Sequence, residues 1–387
     1  MFRLPKLSLP LLTAVSLLGC NSSTKQPEYQ ASAYLPAYNQ SRFDEYQTET
    51  RQWLLQHRIF LTEDREQELS FIMPQQFNPE QPNGKAVLLV HGLGDSPFSF
   101  KDIGRHLAAQ GYLVRTILLP GHASKVGDLQ LPSIEDWEGV VKHQIELIKQ
   151  ESDSVWLGGF STGGNLVTEH ALQDDSIEGL LLFAPAFKPT SKAVRFADIA
   201  SYFIDWVDVD PEISHLRYNS LPMNGAAVYY QTSSNVRQQL KGQHYDKPVF
   251  MLLSEGDKVI DTPYVANTFS KVMTNPDNQL VWLGEDAPQD TRATTFSMQL
   301  DELKISNGSH MGMLFSPHNS EYGQDGTMLI CNNGQGEELE AQCLAGEDVW
   351  YSAWGYTEPD KIHARLTYNP YFAQSMQIMD ELMTVQQ

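Results

Sequence analysis

The sequence predicts an α/β fold built on a mostly parallel, doubly wound sheet flanked by helices. Short, nearly continuous apolar runs recur along the chain, and this is the pattern of strands that are buried on both faces of a parallel sheet. Segments with helical apolar spacing separate these runs, as expected when helices connect parallel strands. The predicted strands are 85–90, 112–119, 154–158, 177–183 and 248–253, and the predicted helices among them are 97–111, 133–150 and 164–172.

The segments outside this core give further expectations. Residues 43–59 predict a helix with Phe43, Tyr46 and Trp53 on one face. Residues 59–62 and 68–73 favour two short strands on either side of a charged stretch. A closing helix is predicted over 370–384, where Phe372, Met376, Met379 and Leu382 lie on one side.

Two stretches interrupt the alternation of strands and helices. Residues 188–246 are aromatic-rich and irregularly amphipathic, and residues 316–356 are polar and contain glycines. We expect both to be insertions in one domain that covers 42–387. The first is expected to lie over the carboxyl ends of the strands, where open α/β sheets carry their sites. The alternative is additional helix and loop packed at the edge of the sheet.

The chain of 387 residues carries a formal net charge of −21. A surface this acidic repels nucleic-acid phosphates and anionic lipids, so the composition argues against nucleic-acid binding and against electrostatic docking to membranes. Solubility alone is a sufficient reason for such a charge.

The first twenty residues predict an export signal. Arg3 and Lys6 precede an apolar run that is too short and too rich in proline to span a bilayer permanently. The ending Leu17-Leu18-Gly19-Cys20 resembles a bacterial lipobox, and that resemblance implies that Cys20 is acylated and becomes the new N-terminus. Asn21 then implies sorting to the outer membrane, with the protein in the cell envelope. An ordinary secretory signal is the alternative. Residues 21–41 are polar and are expected to form a flexible tether.

Two further cysteines, Cys331 and Cys343, flank a Gly-containing loop at 332–336. In an exported protein we expect them to form a disulfide, which contributes about 2 to 3 kcal/mol by the loop-entropy estimate. Two cysteines without a second Cys or His pair lack the spacing of a zinc site, so no metal is expected.

The segment Gly159-Phe160-Ser161-Thr162-Gly163 joins a predicted strand to a predicted helix. This is the context of a nucleophile elbow, a sharp turn that holds a serine in a strained backbone conformation. The residues two before and two after the serine must be small so that strand and helix can approach closely. Glycine at both positions meets that requirement.

A serine nucleophile needs a base, and the base needs a third group that orients it. Asp257 follows directly after the strand 248–253, with Glu255 and Asp261 as its rivals. His310 lies on a Gly-flanked loop after the last strands and is the expected base. His318 is its nearest competitor.

Acyl transfer also needs hydrogen-bond donors aimed at the developing oxyanion. One donor is expected from the backbone N–H of Thr162, and the other from the N–H of Leu93 in the loop after the first core strand. Gly92 allows that loop to bend. His91 is expected to be a structural hydrogen-bonding residue beneath the site.

These motifs together resemble the carboxylesterase and monoacylglycerol-lipase branch of the α/β-hydrolase superfamily. The segments that carry the resemblance are VLLVHGLGDSP, LLPGHAS, GFSTGG, LLSEGDKVID and SNGSHMG. The resemblance implies the α/β-hydrolase fold, the triad of Ser161, Asp257 and His310, no cofactor, and a small helical cap over 188–246. The chain departs from the family pattern at Ala123, in the extra segment 284–304 and in the Cys-bearing insertion.

The leading functional hypothesis is a lipid-anchored serine esterase of the cell envelope that acts on small carboxylic esters, such as short or medium acyl esters or monoacylglycerols. The expected lining of the acyl pocket is Phe160, Phe187, Phe203 and Met223. A serine aminopeptidase on the same fold is one alternative, which a negative group in the cap facing Ser161 would favour. A non-catalytic envelope lipoprotein that binds ligands is the other.

Overall fold

The computed structural model describes residues 23–385. Over this range the strands are β1 Gln76–Phe77, β2 Lys85–Val90, β3 Leu113–Ile117, β4 Ser154–Phe160, β5 Ile177–Phe183, β6 Trp206–Asp208, β7 Leu221–Pro222, β8 Val249–Ser254, β9 Gln279–Leu283, β10 Ala293–Phe296, β11 Val349–Ser352 and β12 Ile362–Arg365. The α-helices are α1 Phe43–His57, α2 Arg65–Ile72, α3 Lys101–Ala109, α4 Ile134–Ile148, α5 Thr162–Ala171, α6 Ala197–Ala200, α7 Met223–Leu240, α8 Thr262–Val272, α9 Glu337–Leu344 and α10 Phe372–Val385.

Eight of the described strands form the central sheet in the order β1-β3-β2-β4-β5-β8-β9-β10. Only β1 runs antiparallel to its neighbour, and the other pairs are parallel. The predicted mostly parallel sheet flanked by helices is therefore confirmed. Strand β2 is buried along nearly its whole length, and so are β5 and β8, because helices cover both faces of the sheet.

The segment between α1 and the sheet differs from the sequence prediction. Helix α1 is confirmed, but residues 59–62 and 68–73 do not form the two expected strands. Helix α2 begins where the Asp64 side chain accepts a hydrogen bond from the Gln67 amide. The Glu68 carboxylate is buried on this helix, where it pairs with Arg58 at 2.9 Å and accepts the amides of residues 61 and 62. These contacts between residues six to ten positions apart favour the helix over the two strands.

The prediction of a flexible tether over 21–41 is wrong for most of its length. Tyr29 is buried, and its hydroxyl donates to the Asp210 carbonyl at 2.9 Å. The Ser32 amide donates to Asp128, and His143 Nε2 contacts the Gln40 carbonyl at 2.7 Å. The aromatic residues scattered among polar ones give this segment side chains to bury. The predicted signal 1–20, with its acylation site at Cys20, lies outside the described residues.

The interruption at 188–246 contains α6, β6, β7 and α7. Helix α7 packs against α5, where Asn165 donates to the Thr232 hydroxyl at 3.1 Å. The short helix α6 packs in turn on α7 through Ala197, Ala226 and Ala227. We refer to residues 188–246 as the cap.

The later insertion contains α9 and β11, and β11 pairs in parallel with β12. The expected disulfide between Cys331 and Cys343 is present, with a Cα–Cα distance of 5.6 Å. Both cysteines are buried in a small apolar cluster with Ala364. No helix in residues 23–385 is both long and apolar enough to cross a membrane.

One buried carboxyl group predicts a pH dependence of stability. Burial, reinforced by Glu138, raises the pKa of Glu169 on α5 to about 7. The folded chain thus holds this proton where the unfolded chain has released it, so stability falls as pH rises from about 4.5 to 7. We expect Glu169→Gln to remove this loss and to be more stable than the wild type at pH 8, by about 2 to 3 kcal/mol. Thermal or urea unfolding between pH 5 and 9 measures the difference.

The matched control is Glu146→Gln, which changes an exposed carboxylate on α4. It should leave the pH dependence as it is in the wild type. If Glu169→Gln is no more stable than the wild type above pH 7, the pKa of Glu169 is not raised in the folded protein.

Candidate active site

Ser161 stands at the sharp turn between β4 and α5. Its backbone has φ 53° and ψ −114°, a left-handed conformation that costs a non-glycine residue free energy. A Cβ at Gly163 would collide with the Val90 carbonyl oxygen, and one at Gly159 would collide with the Gly163 backbone. The structure thus shows the physical need for both glycines that the sequence indicated.

The structure brings Ser161, His310 and Asp257 into one hydrogen-bonded chain. His310 Nε2 lies 3.1 Å from Ser161 Oγ, and His310 Nδ1 lies 2.6 Å from Asp257 Oδ2. The other carboxylate oxygen of Asp257 accepts the backbone amides of Val259 and Ile260. With Asp257 fully buried, its carboxylate fixes the tautomer in which Nδ1 carries the proton and Nε2 accepts from the serine.

The rival residues from the sequence have other partners. Glu255 accepts the amides of Glu285 and Asp286 in a loop. Asp261 caps helix α8 and pairs with Lys188 at 2.7 Å. His318 is exposed. These contacts leave Asp257 and His310 as the acid and base that reach Ser161.

The two backbone amides expected to bind an oxyanion are available. Within the described residues, neither the Leu93 amide nor the Thr162 amide donates a hydrogen bond to another protein group. A Cβ at Gly92 would lie 3.2 Å from Ser161 Cβ, so the loop before Leu93 runs directly beside the nucleophile. Donors that are fixed before the reaction stabilise developing negative charge most effectively.

His91 holds this loop from below. Its Nδ1–H donates to the Gly92 carbonyl at 2.8 Å, and its Nε2 accepts the Leu119 amide at 3.1 Å. Burial lowers the pKa of His91 to about 4, so the ring is neutral and joins the loops that follow β2 and β3. The structure places His91 as the sequence indicated, as a structural group.

The four residues expected to line an acyl pocket do not lie together. Phe160 packs against His310 with ring centroids 4.9 Å apart, and Phe187 is fully buried. Met223 begins α7 beside a small apolar cluster of the cap. Phe203 is 84% exposed, so it does not line an enclosed pocket in this structure. The short helix that precedes it turns Ala197 inward, and Phe203 follows on the outer side.

Sequence reasoning missed Asp95, which lines a small cavity beside the triad with Phe160, Arg217 and Met311. Within residues 23–385 no hydrogen bond joins the Asp95 carboxylate to another group, and its nearest cation, Arg217 Nε, is 4.0 Å away. Burial raises the pKa of Asp95, while Arg217 and His310 oppose that rise. The signal in the sequence was the position of Asp95, two residues after Leu93.

The cap contributes a second missed residue, Tyr229 on α7. Its side chain is buried, and within the described chain its hydroxyl has no hydrogen-bond partner. Burial raises the pKa of this phenol, Arg237 opposes the rise, and the charge of Asp257 adds to it. A buried hydroxyl without a partner departs from the usual pairing of buried polar groups. Nothing in the local pattern of α7 distinguishes Tyr229 from Tyr230.

The loop that carries His310 is held by the disulfide-bearing insertion. The Ser306 amide donates to the Tyr351 carbonyl at 2.9 Å, and the Tyr351 amide donates to Lys304 at 2.7 Å. The Ala353 amide donates to Asn307 Oδ1 at 2.7 Å. Strand β11 therefore acts as the support of the base, and the disulfide lies in the apolar cluster that packs on β11 and β12.

The fold is that of an α/β hydrolase, and the hydrogen-bonded chain that ends at Ser161 makes this serine the candidate nucleophile. The family model described as "Serine aminopeptidase, S33" (Hydrolase_4) matches residues 81–284, just over half of the chain. The chain therefore belongs to this family.

Three known proteins illustrate the likeness. A thermostable monoacylglycerol lipase from Bacillus sp. (strain H-257) is 25% identical over 186 residues, 45% of this chain and 71% of the lipase. A carboxylesterase from Bacillus subtilis (strain 168) is 25% identical over 210 residues, 52% of this chain and 83% of the esterase. The crystal structure of Paleococcus ferrophilus monoacylglycerol lipase matches at 19% identity and TM-score 0.45, over 58% of this chain and 88% of that one.

The expected membership of the carboxylesterase and monoacylglycerol-lipase branch of the α/β-hydrolase superfamily is confirmed. The chain is a hydrolase of the esterase and lipase type.

The support of the histidine loop predicts that the disulfide affects turnover. In Cys331→Ser/Cys343→Ser we expect kcat for an ester to fall about 10-fold, because small displacements of a catalytic base are costly. KM should change less, and the free energy of unfolding should fall by about 3 kcal/mol. Steady-state kinetics and hydrogen exchange of residues 304–312 test this. If the double variant keeps the wild-type kcat and hydrogen exchange in that loop is unchanged, the disulfide does not help to hold the histidine loop.

Proposed function

We propose that the protein is a serine esterase that cleaves small carboxylic esters through an acyl-enzyme. The observation that supports it most directly is the unbroken chain of hydrogen bonds from Asp257 through His310 to Ser161. The free amide of Thr162 directly follows the same serine, and the loop that carries the free amide of Leu93 runs beside it. Nucleophile, base, orienting acid and oxyanion donors are therefore all present at one point.

In the first half of the reaction, Ser161 Oγ attacks the ester carbonyl carbon while His310 Nε2 takes the hydroxyl proton. The carbonyl oxygen becomes an oxyanion, which the amides of Leu93 and Thr162 stabilise. The Asp257 carboxylate stabilises the imidazolium that forms. Collapse of the tetrahedral intermediate breaks the bond to the alcohol oxygen, which leaves with the proton from His310.

In the second half, His310 takes a proton from water as the water oxygen attacks the acyl-enzyme. The same two amides stabilise the second oxyanion. Its collapse releases the carboxylic acid and returns the proton to Ser161. No cofactor enters either half.

The proposed substrates are esters with a short or medium acyl chain, including monoacylglycerol-type esters. The names of the two Bacillus relatives support this class. The apolar ring of Phe160, which packs against His310, suits an acyl chain more than a charged group.

A serine aminopeptidase is the second candidate, and the position of Asp95 favours it. An unpaired carboxylate beside the nucleophile is the group that would bind the α-ammonium of a peptide N-terminus. The description of the matching family also names this activity. Asp95 lies in the loop after β2, however, and not in the cap, where the sequence reasoning placed such a group.

The first test is hydrolysis of 4-nitrophenyl esters of increasing acyl length by the wild type and Ser161→Ala. We expect Ser161→Ala to lose at least about 10,000-fold in kcat, because within residues 23–385 the Ser161 hydroxyl is the one that contacts His310 Nε2. Asp257→Asn should lose a comparable factor through the wrong histidine tautomer. The matched control Glu255→Gln, which changes the rival acid, should keep most of the activity.

The same proteins tested on aminoacyl 4-nitroanilides separate the two candidates. If anilides are cleaved faster than esters and Asp95→Asn abolishes only anilide cleavage, the protein is an aminopeptidase. If neither class is cleaved by the folded wild type, the proposed function fails and a non-catalytic binding role takes its place.

We further propose that the protein is anchored in the bacterial outer membrane by lipid on Cys20. The lipobox-like ending Leu17-Leu18-Gly19-Cys20 and the following Asn21 support this. A single acyl chain binds membranes only weakly, so a multiply acylated cysteine is the form that gives stable anchoring.

Incorporation of radiolabelled palmitate into the protein expressed in bacteria tests the anchor. We expect label in the wild type and none in Cys20→Ser, because the thiol is the acceptor. Cys331→Ser/Cys343→Ser is the matched control and should be labelled as the wild type is. Equal labelling of wild type and Cys20→Ser would exclude this site.

A further inference from the structure

The cap carries a dense group of exposed apolar side chains. Six large apolar residues within 196–207 are between 51% and 84% exposed, which is unusual for side chains of this size on a soluble protein. We call them the cap patch: Phe196, Ile199, Tyr202, Phe203, Ile204 and Val207.

The cap patch lies on the outer side of the element that covers the nucleophile. Ala197 of α6 packs inward on Ala226 and Ala227 of α7. The next residue of α7 toward its N-terminus, Gly225, lies close enough to the oxyanion loop that a Cβ there would be 3.6 Å from Leu93 Cδ1. Helix α7 therefore contacts both α6 and the loop that carries Leu93.

The N-terminal segment runs along the same part of the cap. The Tyr29 ring packs edge-on against Trp206 with centroids 5.5 Å apart, and its hydroxyl donates to the Asp210 carbonyl. Trp206 follows the patch residue Ile204 by two positions. Tyr29 follows Cys20 by nine, and nine residues span at most roughly 32 Å even when fully extended. A lipid on Cys20 would thus keep the patch close to the bilayer.

The charges around the patch indicate which surface it fits. Lys192 and Arg195 are exposed on one side, with the Arg195 guanidinium 4.5 Å from the Phe196 ring centre. Asp205 and Asp208 are exposed between the apolar residues. Charges of both signs match zwitterionic headgroups, whereas the net charge of −21 opposes an anionic surface. Exposed Tyr and Phe side chains favour the interfacial layer of a bilayer.

We propose that the cap patch docks on a zwitterionic phospholipid surface, so that the cap faces the lipid from which ester substrates arrive. The biological role given to this docking rests on the proposed esterase function and on the proposed lipid anchor. The docking itself requires neither, because it depends on burial of the six side chains in the interface.

The test uses vesicle flotation with phosphatidylcholine. All described buried residues of the main core come from Tyr29 onward, so a chain that begins at residue 23 retains this core and lacks the proposed anchor. We expect this chain to float with the vesicles. In Tyr202→Ser/Phe203→Ser the partition coefficient should fall at least about 10-fold, because two exposed aromatic side chains no longer enter the interface.

The matched control is Leu329→Ser/Leu344→Ser, which removes two exposed apolar side chains from the disulfide-bearing insertion. It should float as the wild type does. Flotation of the patch variant at the wild-type level would overturn the proposal, and so would a wild type that stays with the soluble fraction. A wild type that is dimeric and does not float, with a monomeric patch variant, would assign the patch to a second copy of the chain.

Ester hydrolysis by the same three proteins distinguishes this inference from the function. All three should hydrolyse a soluble short-chain ester at the same rate, while the patch variant alone should be slower on a long-chain ester carried in the vesicles. If none cleaves either ester, the esterase proposal fails, and flotation still decides whether the patch binds lipid.

Discussion

The close approach of β4 and α5 at Ser161 is the constraint on which the rest of the site depends. Gly163 sits against the Val90 carbonyl, and no larger residue fits there. Because β2 and β4 pair in parallel with Val90 opposite Gly159, the loop after β2 ends beside the serine. The loop that carries Leu93 therefore runs beside the serine that precedes Thr162, and the His91 ring holds this loop from below.

The remaining two groups of the triad come from distant parts of the chain. Asp257 follows β8, and His310 lies 149 residues after Ser161 on a loop with no regular structure of its own. Parallel strands deliver their carboxyl ends to one edge of the sheet, which accounts for Asp257. The histidine loop needs additional support, and strand β11 of the insertion provides it through backbone hydrogen bonds. The part of the chain that departs most from the family pattern thus holds a residue central to the proposed reaction.

The sequence predicted the sheet, helix α1 and the elbow well, because apolar runs, helical spacing and paired glycines are local signals. It failed at 59–73, where strands were expected and α2 forms, since the buried Arg58–Glu68 pair joins residues whose contacts no local pattern reveals. It failed again for the supposed tether, because burial of Tyr29 depends on Trp206, which is 177 positions away. Phe203 was assigned to a pocket for its apolar character, but a cap can turn the same side chain outward.

The sequence by itself determined the class of fold, the candidate nucleophile and a narrow choice of candidate acid and base. Each is marked by residues near one another in the chain, where the stereochemistry of a turn or a strand end allows few alternatives. Only the tertiary structure distinguished Asp257 from its rivals through its contact with His310, and only it placed Asp95 in the cavity beside Phe160 and Met311. Contacts of this kind depend on which loops and helices pack together. That packing is fixed by the summed burial of the whole core, and no short segment of sequence records it.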